Sequence, residues 1–283
     1  MPVVVQAPAT SANLGPGFDC LGLALELRDR VPFTPADTTS VRVVGEGAGE
    51  VSLGPDHLVL ASFRAAFAEC DLPAPEVAVH CENRIPHGRG LGSSSAAIVT
   101  GLVGARAMGA DLDDAQALAL ATRIEGHPDN VAPALLGGLT VSWVQDGTGR
   151  AVRIDPAAGL RAVVAIPDTR LSTATARTLL PQTVPFADAA HAVSRAALAV
   201  AAFGGHPEHL LAATEDRLHQ DYRKSAYPLS WELVQQWRAA GVPAAISGAG
   251  PTVIAFAGGM QAPPGWRCEE LRIADQGATV SAL

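Results

Sequence analysis

The segment that most constrains this chain is Pro86-His87-Gly88-Arg89-Gly90-Leu91-Gly92-Ser93-Ser94-Ser95-Ala96-Ala97. Its three glycines let a backbone turn tightly and approach a ligand without Cβ interference. Three serines follow as hydroxyl donors, and the run Ser94 to Met108 is small, apolar and helical in pattern. The pattern predicts a strand, a glycine turn and a buried helix in succession. The helix's free N–H groups and positive dipole end would then point into the turn. Such a nest suits a di- or triphosphate. On its residues alone, the segment is also compatible with a plain Gly/Ser connector between strand and helix.

Composition restricts how a phosphate could be held. Lys224 is the only lysine among 20 basic residues. A Walker A loop needs G-x-x-x-x-G-K-[ST], and a protein-kinase site needs a strand lysine. Lys224 stands in neither context, which leaves backbone amides, hydroxyls and a helix dipole. The formal charge of -8 speaks against general nucleic-acid binding, which requires a basic face. It does not oppose a local pocket for a small anion.

The 283 residues, 48% hydrophobic and 17% charged, suffice for two modest globular domains. Aromatics make up 5%, so the cores are expected to be Ala, Val and Leu. Four cysteines without a C-x-x-C pair read as small buried hydrophobes. Met1 to Gln6 lacks the basic start of a secretory leader. Apolar runs such as Leu160 to Ile166, with its Arg161, fall well short of the roughly 20 residues that span a bilayer. The expectation is a cytoplasmic protein with no membrane or nucleic-acid partner.

Along the chain, Val3-Val4-Val5 predicts a buried strand ended by Ala7-Pro8-Ala9. Gly15-Pro16-Gly17 predicts a turn before a strand from Phe18 to Leu27. Val41 to Val44 and Val77 to Val79 predict two more strands. Asp56 is the expected cap of a helix with Val59, Leu60, Phe63, Ala66 and Phe67 on one face. Asp113 and Gln116 have capping-box spacing ahead of a helix to Ile124. Leu139 to Val144 predicts a strand, and Asp146-Gly147 a tight hairpin turn. Beyond Asp155-Pro156 the pattern restarts with a strand (Ala162 to Ile166), helices between Phe186 and Ala239, and a strand from Val253 to Phe256. Strands and helices mix without regular alternation, which predicts an α+β fold of two domains, 1–155 and 156–283.

Pro86 to Ala97 resembles the second signature of the GHMP kinases. Pro8-Ala9-Thr10-Ser11-Ala12-Asn13-Leu14-Gly15-Pro16-Gly17-Phe18-Asp19 resembles their first motif, and Ser247-Gly248-Ala249-Gly250-Pro251-Thr252 their third. Within that group, Ser11 to Asp19 and Glu125-Gly126-His127-Pro128-Asp129-Asn130-Val131-Ala132-Pro133 are most similar to the homoserine kinases. The resemblance implies an N-terminal domain like domain 2 of ribosomal protein S5 and a ferredoxin-like C-terminal domain. It implies ATP and Mg²⁺ as cofactors, L-homoserine as substrate, and a possible homodimer.

The resemblance also nominates residues. Pro86 to Ala96 would bind the nucleotide (Pro86, His87, Gly88, Arg89, Gly90, Leu91, Gly92, Ser93, Ser94, Ser95 and Ala96), with Asn83 and Arg84 as further contacts. Ser94 and Glu125 would hold the metal. Asn13 would hold the reacting hydroxyl, and Asp19 the α-ammonium. Arg177 and Arg223 match the positions for the α-carboxylate, whose planar shape suits a guanidinium fork. His127 and Asn130 would touch the substrate, although His127 also suits a brace for its turn. Relatives that use a catalytic aspartate carry it where this chain has Ala132. Transfer without a general base is therefore expected, because phosphoryl transfer depends chiefly on positioning and charge neutralisation.

Overall fold

The first strand does not stop at Pro8. In the computed structural model, which describes residues 1–283, β1 runs from Val3 to Asn13. Pairing with the next strand shifts register between Pro8 and Ala9. A bulge is where a strand tolerates a proline, since no ladder hydrogen bond is asked of its missing N–H. The chain turns at Leu14 to Pro16 and returns as β2 (Gly17–Pro35), followed by β3 (Ser40–Gly45). The helix α1 (Leu58–Glu69) carries the expected apolar face but begins after His57. Asp56 does not cap it; its carboxylate instead accepts the Ser52 hydroxyl at 2.5 Å.

Next come β4 (Val77–Asn83), α2 (Ser93–Ala107) and α3 (Asp114–Glu125). The α3 capping box is complete: Asp113 accepts from the Gln116 N–H, and the Gln116 side chain accepts from the Asp113 N–H. A helix not foreseen from sequence, α4 (Pro128–Leu136), follows, with Pro128 in the first turn where its missing N–H costs nothing. The hairpin β5 (Leu139–Gln145) and β6 (Thr148–Ile154) turns on Asp146 and Gly147, both left-handed.

The chain then enters a second sheet with β7 (Arg161–Ile166). The helices α5 (Thr173–Thr178), α6 (Phe186–Gly204), α7 (Leu210–Ala213), α8 (Gln220–Arg223) and α9 (Pro228–Ala239) follow. The strands β8 (Ala244–Ile246), β9 (Val253–Ala255) and β10 (Arg267–Arg272) complete that sheet, in the order β10-β7-β9-β8. The last strand, β11 (Thr279–Ala282), goes back to pair antiparallel with β1. The first sheet has the order β11-β1-β2-β4-β3, with the β5–β6 hairpin attached to β2.

Three apolar clusters hold these layers together. One lies between the first sheet and α1 to α4, around Val5, Phe33, Phe63 and Leu102. The second joins the other face of that sheet to the second sheet and α6, through Leu23, Leu25, Val164, Phe203 and Ile254. The third packs the outer face of the second sheet on α9, through Ala165, Val253 and Trp237. Val164 and Ala165 face opposite cores because successive strand side chains alternate.

The 19 residues of α6 meet the length and composition of a membrane span, as the shorter run at Leu160 does not. The helix nevertheless buries Ala199, Ala202 and Phe203 in the second core and pairs Arg195 with Glu215.

Candidate active site

The three signature segments converge, though they lie up to 236 positions apart in sequence. Thr10 N–H donates to the Leu91 carbonyl at 3.0 Å, and Gly248 N–H to the Ala12 carbonyl at 3.1 Å. The Ser247 hydroxyl lies 2.6 Å from the Gly90 carbonyl and 2.9 Å from Ser11 Oγ. Two glycines make this closeness possible. A Cβ on Gly90 would stand 2.3 Å from the Ser247 carbonyl oxygen, and one on Gly92 only 1.9 Å from Thr10 Oγ1. Both also have positive φ, so a side chain would be strained there as well as crowded.

The loop opens on a cavity of about 540 Å³, within the usual size for a small-molecule site. Pro86 to Ser94 line it; Leu91 and Ala96 are buried in the second core, and the Ser95 side chain is also buried. Gly92 precedes α2, whose first-turn N–H groups face the loop. The Arg89 guanidinium turns away to the carbonyls of Pro167, Asp168 and His87, which fastens the loop to the second sheet's side. Asn83 lines the cavity while donating to the Glu46 carbonyl. Arg84 lines a neighbouring recess instead.

Glu125 ends α3 beside the start of α2. Its Oε1 accepts both the Ser94 hydroxyl (2.6 Å) and the Ser95 hydroxyl (3.0 Å). One turn further on, His127 Nδ1 lies 2.5 Å from the buried Asp129 carboxylate. Burial alone would lower the His127 pKa, but the bond to Asp129 and its charge outweigh that and raise it. Asn130 Oδ1 accepts from Thr10 Oγ1 at 2.8 Å. Glu125, His127 and Asn130 all line the cavity.

Asn13, itself left-handed at φ 69°, is buried. It donates to the Gly248 carbonyl (2.9 Å) and accepts from the Asp19 N–H (3.1 Å), leaving one amide hydrogen and one lone pair. Asp19 and Arg177 are bonded to each other in a two-pronged pair, at 2.6 and 3.0 Å. Arg223 is only 2% exposed. Its Nε donates to the Ala176 carbonyl and its Nη1 lies 3.5 Å from His219 Nδ1, with no carboxylate in ion-pair range. Burial lowers its pKa. Asn13, Asp19, Arg177 and Arg223 do not themselves line the cavity; Arg177 lies within electrostatic reach of His127, which does.

Several residues of the site were not singled out from sequence. Thr10, Ser11 and Phe18 lay inside the first motif, and Ser247 inside the third, without assigned contacts. His219 had one local signal: it precedes Arg223 by four residues, the spacing that puts two side chains on one helical face.

Asp29 lines the cavity beneath the loop and is 5% exposed. Its Oδ1 accepts the N–H groups of Arg84 (2.6 Å) and Ile85 (2.9 Å), the residues leading into Pro86. Burial pushes this carboxyl up to about 6; the two N–H bonds pull it partly back, and Glu46 adds to the rise. A carboxyl raised on folding favours the folded state below its unfolded pKa, near 3.9, and that contribution is lost as pH rises through about 6. Asp29→Asn keeps an acceptor for both N–H groups and removes the charge. Its stability relative to the wild type should improve by about 2–3 kcal/mol between about pH 4 and pH 7.5. Urea unfolding at the two pH values checks this, and a pH-independent difference refutes it.

Comparison with known proteins agrees with this geometry. Residues 57–138 match the GHMP kinases N terminal domain, and residues 198–264 the GHMP kinases C terminal domain. The chain is 51% identical to the homoserine kinase of Streptomyces coelicolor, covering 99% of this chain and 95% of that one. It is 52% identical to the homoserine kinase of Clavibacter michiganensis, over 89% of this chain and 81% of that one. The crystal structure of homoserine kinase from Cytophaga hutchinsonii superposes with a TM-score of 0.85 at 23% identity, over 99% and 97% of the two chains, a likeness of fold. With both domain signatures matched and about half of its residues shared with full-length relatives, the chain belongs to the GHMP kinases and, within them, to the homoserine kinase family.

Proposed function

We propose that the protein transfers the γ-phosphoryl group of ATP to the hydroxyl of L-homoserine, giving O-phospho-L-homoserine and ADP, a step toward threonine. The observation that carries this is the pairing of a phosphate loop with a buried Arg223 that has no carboxylate in ion-pair range, in the cluster whose Arg177 is within electrostatic reach of His127 on the cavity wall. A buried guanidinium without a carboxylate is costly unless an anionic ligand completes it. A zwitterionic amino acid supplies that anion and also an ammonium for Asp19. Arg177 Nε has no protein acceptor and Asp19 keeps lone pairs, so both would remain available to such a ligand while their own pair persists. The proposed setting is a cytoplasmic enzyme, a possible homodimer, without nucleic-acid or membrane partners.

Pro86 to Ala96 would hold the triphosphate with N–H groups and hydroxyls. The oxygens of Ser94 and Glu125 are hard donors at the loop's mouth and would hold Mg²⁺, which when bound would supply charge neutralisation for the phosphates. Asn13 would orient the substrate hydroxyl, with Asn130 and His127 beside it. Transfer would be in line and without a dedicated general base. Ala132, where relatives carry an aspartate, is fully buried in α4. The nearby carboxylates of Asp19, Glu125 and Asp129 are each already engaged with Arg177, the serines and His127.

The test is ADP release with Mg²⁺ and ATP over homoserine, serine, threonine, mevalonate and galactose. A preference for homoserine is expected, and its absence overturns the substrate assignment. Asp19→Asn and Asp129→Asn should raise KM for homoserine without changing the slope of log kcat against pH. A pH limb in kcat that vanishes with either carboxylate overturns transfer without a base.

A further inference from the structure

Phe18 is a large aromatic that joins none of the three apolar cores, although Cys20, two residues on, packs against one of them. Its ring instead carries cations. Arg223 Cζ stands 5.1 Å from the ring centroid and Arg177 Cζ 5.5 Å. The His219 ring lies 5.1 Å away, inclined by 34°. Two guanidiniums brought together repel each other, and only Arg177 has a carboxylate within ion-pair distance. The negative face of an aromatic ring attracts both, and arginine, weakly hydrated and planar, stacks readily.

We propose that Phe18 is a positioning residue for the amino-acid carboxylate: its ring, braced by His219, holds Arg177 and Arg223 on one platform facing a single carboxylate. This rests on the assignment of an amino-acid substrate above. The surroundings of the ring are built for that task. Asp216 accepts three N–H groups, from Leu218, His219 and Gln220, and so fixes the start of α8. That places His219 and Arg223 on one side of α8, against Phe18. His219 Nε2–H donates to the Gly15 carbonyl at 2.8 Å, in the turn just before Phe18. This leaves Nδ1 as an acceptor toward Arg223 Nη1. Burial lowers the His219 pKa, which keeps that acceptor available. The backbone then turns left-handed at Asp19, φ 55°, and the Asp19 carboxylate pairs with Arg177.

The experiment compares Phe18→Leu, which keeps apolar bulk but removes the π face, with Phe18→Trp, which keeps it. Steady-state KM for homoserine and for ATP is measured, with the inhibition constant of 3-aminopropan-1-ol, which is homoserine without its carboxylate. Phe18→Leu should raise KM for homoserine about tenfold. KM for ATP and the inhibition constant of the carboxylate-free alcohol should stay within about twofold of the wild type, and Phe18→Trp should keep homoserine KM within about threefold. An unchanged homoserine KM in Phe18→Leu overturns the proposal. So does an equal loss for both alcohols, because a merely structural ring would damage them alike. If Phe18→Leu does not fold, Phe18→Met carries the same comparison. A wild-type enzyme inactive on homoserine would overturn the substrate assignment and this proposal together. A Phe18→Leu enzyme with unchanged KM overturns only the platform.

Discussion

Glu125→Gln is expected to lower kcat about a thousandfold while leaving the thermal unfolding midpoint within a few degrees of the wild type, the scale seen when one preorganised electrostatic contact to a transition state is lost. Glu125 Oε1 gathers the hydroxyls of Ser94 and Ser95 at the start of α2, the place proposed above for Mg²⁺. Glutamine preserves the volume and one acceptor oxygen, so the serines can stay in place, but the negative charge that a divalent cation requires is gone. The loss should therefore fall on kcat and on the Mg²⁺ concentration needed for half-maximal rate, with KM for homoserine little changed. Titrating Mg²⁺ against both enzymes checks this. A variant within about tenfold of the wild type at every Mg²⁺ concentration removes Glu125 from the metal assignment.

Arg223→Met should raise KM for homoserine at least a hundredfold, or about 3 kcal/mol, the usual scale for removing one side of a buried charged hydrogen-bonded pair. Methionine fills much of the arginine's volume, which avoids opening a cavity where Arg223 is 2% exposed. The fold is expected to survive, because exchanging a buried unpaired charge for an apolar side chain is neutral or stabilising. KM for ATP should not move, since the phosphate loop makes no bond to Arg223. Isothermal titration with homoserine and, separately, with a non-hydrolysable ATP analogue distinguishes the two sites. Equal weakening of both ligands would show that Arg223 holds the lobe together rather than the substrate.

Local chemistry made parts of this molecule legible before its structure. The Asp113–Gln116 capping box and the Asp146-Gly147 hairpin turn depend only on neighbouring residues, and both form as read. The strand through Pro8 was not legible, because a bulge depends on the partner strand's register. Nor was α4, whose Pro128 and Pro133 resemble breaks unless one knows that Pro128 opens a helix. The three-residue strand β8 carries too little periodicity to detect, whereas β9 forms where a strand from Val253 to Phe256 is expected, and β11 owes its place to β1 at the other end of the chain.

The site divides in the same way. The phosphate loop and the Ser94–Glu125 neighbourhood came from contiguous motifs. The bond between Asp19 and Arg177, the bracing of Arg223 by His219 and the Ser11–Ser247 contact join residues more than 150 positions apart, or a helix whose orientation only the fold decides.

The return of the chain through β11 limits how the two sheets can move. A body attached at one point can swing in any direction, whereas one attached at two is reduced to rotation about the line between them. The second sheet is joined to the first both after Ile154 and before Thr279. The later joint is stitched down: Ala274 N–H donates to the Ala24 carbonyl, and Ala278 N–H to the Ala134 carbonyl. Arg28 donates to the carbonyls of Gln276 and Gly277 as well. With the later joint fixed and the two sheets sharing one apolar core, sliding one sheet away from the other would break packed contacts, so the cleft is not widened cheaply in that way. Ligand entry that needs more room must come from the loops at its rim.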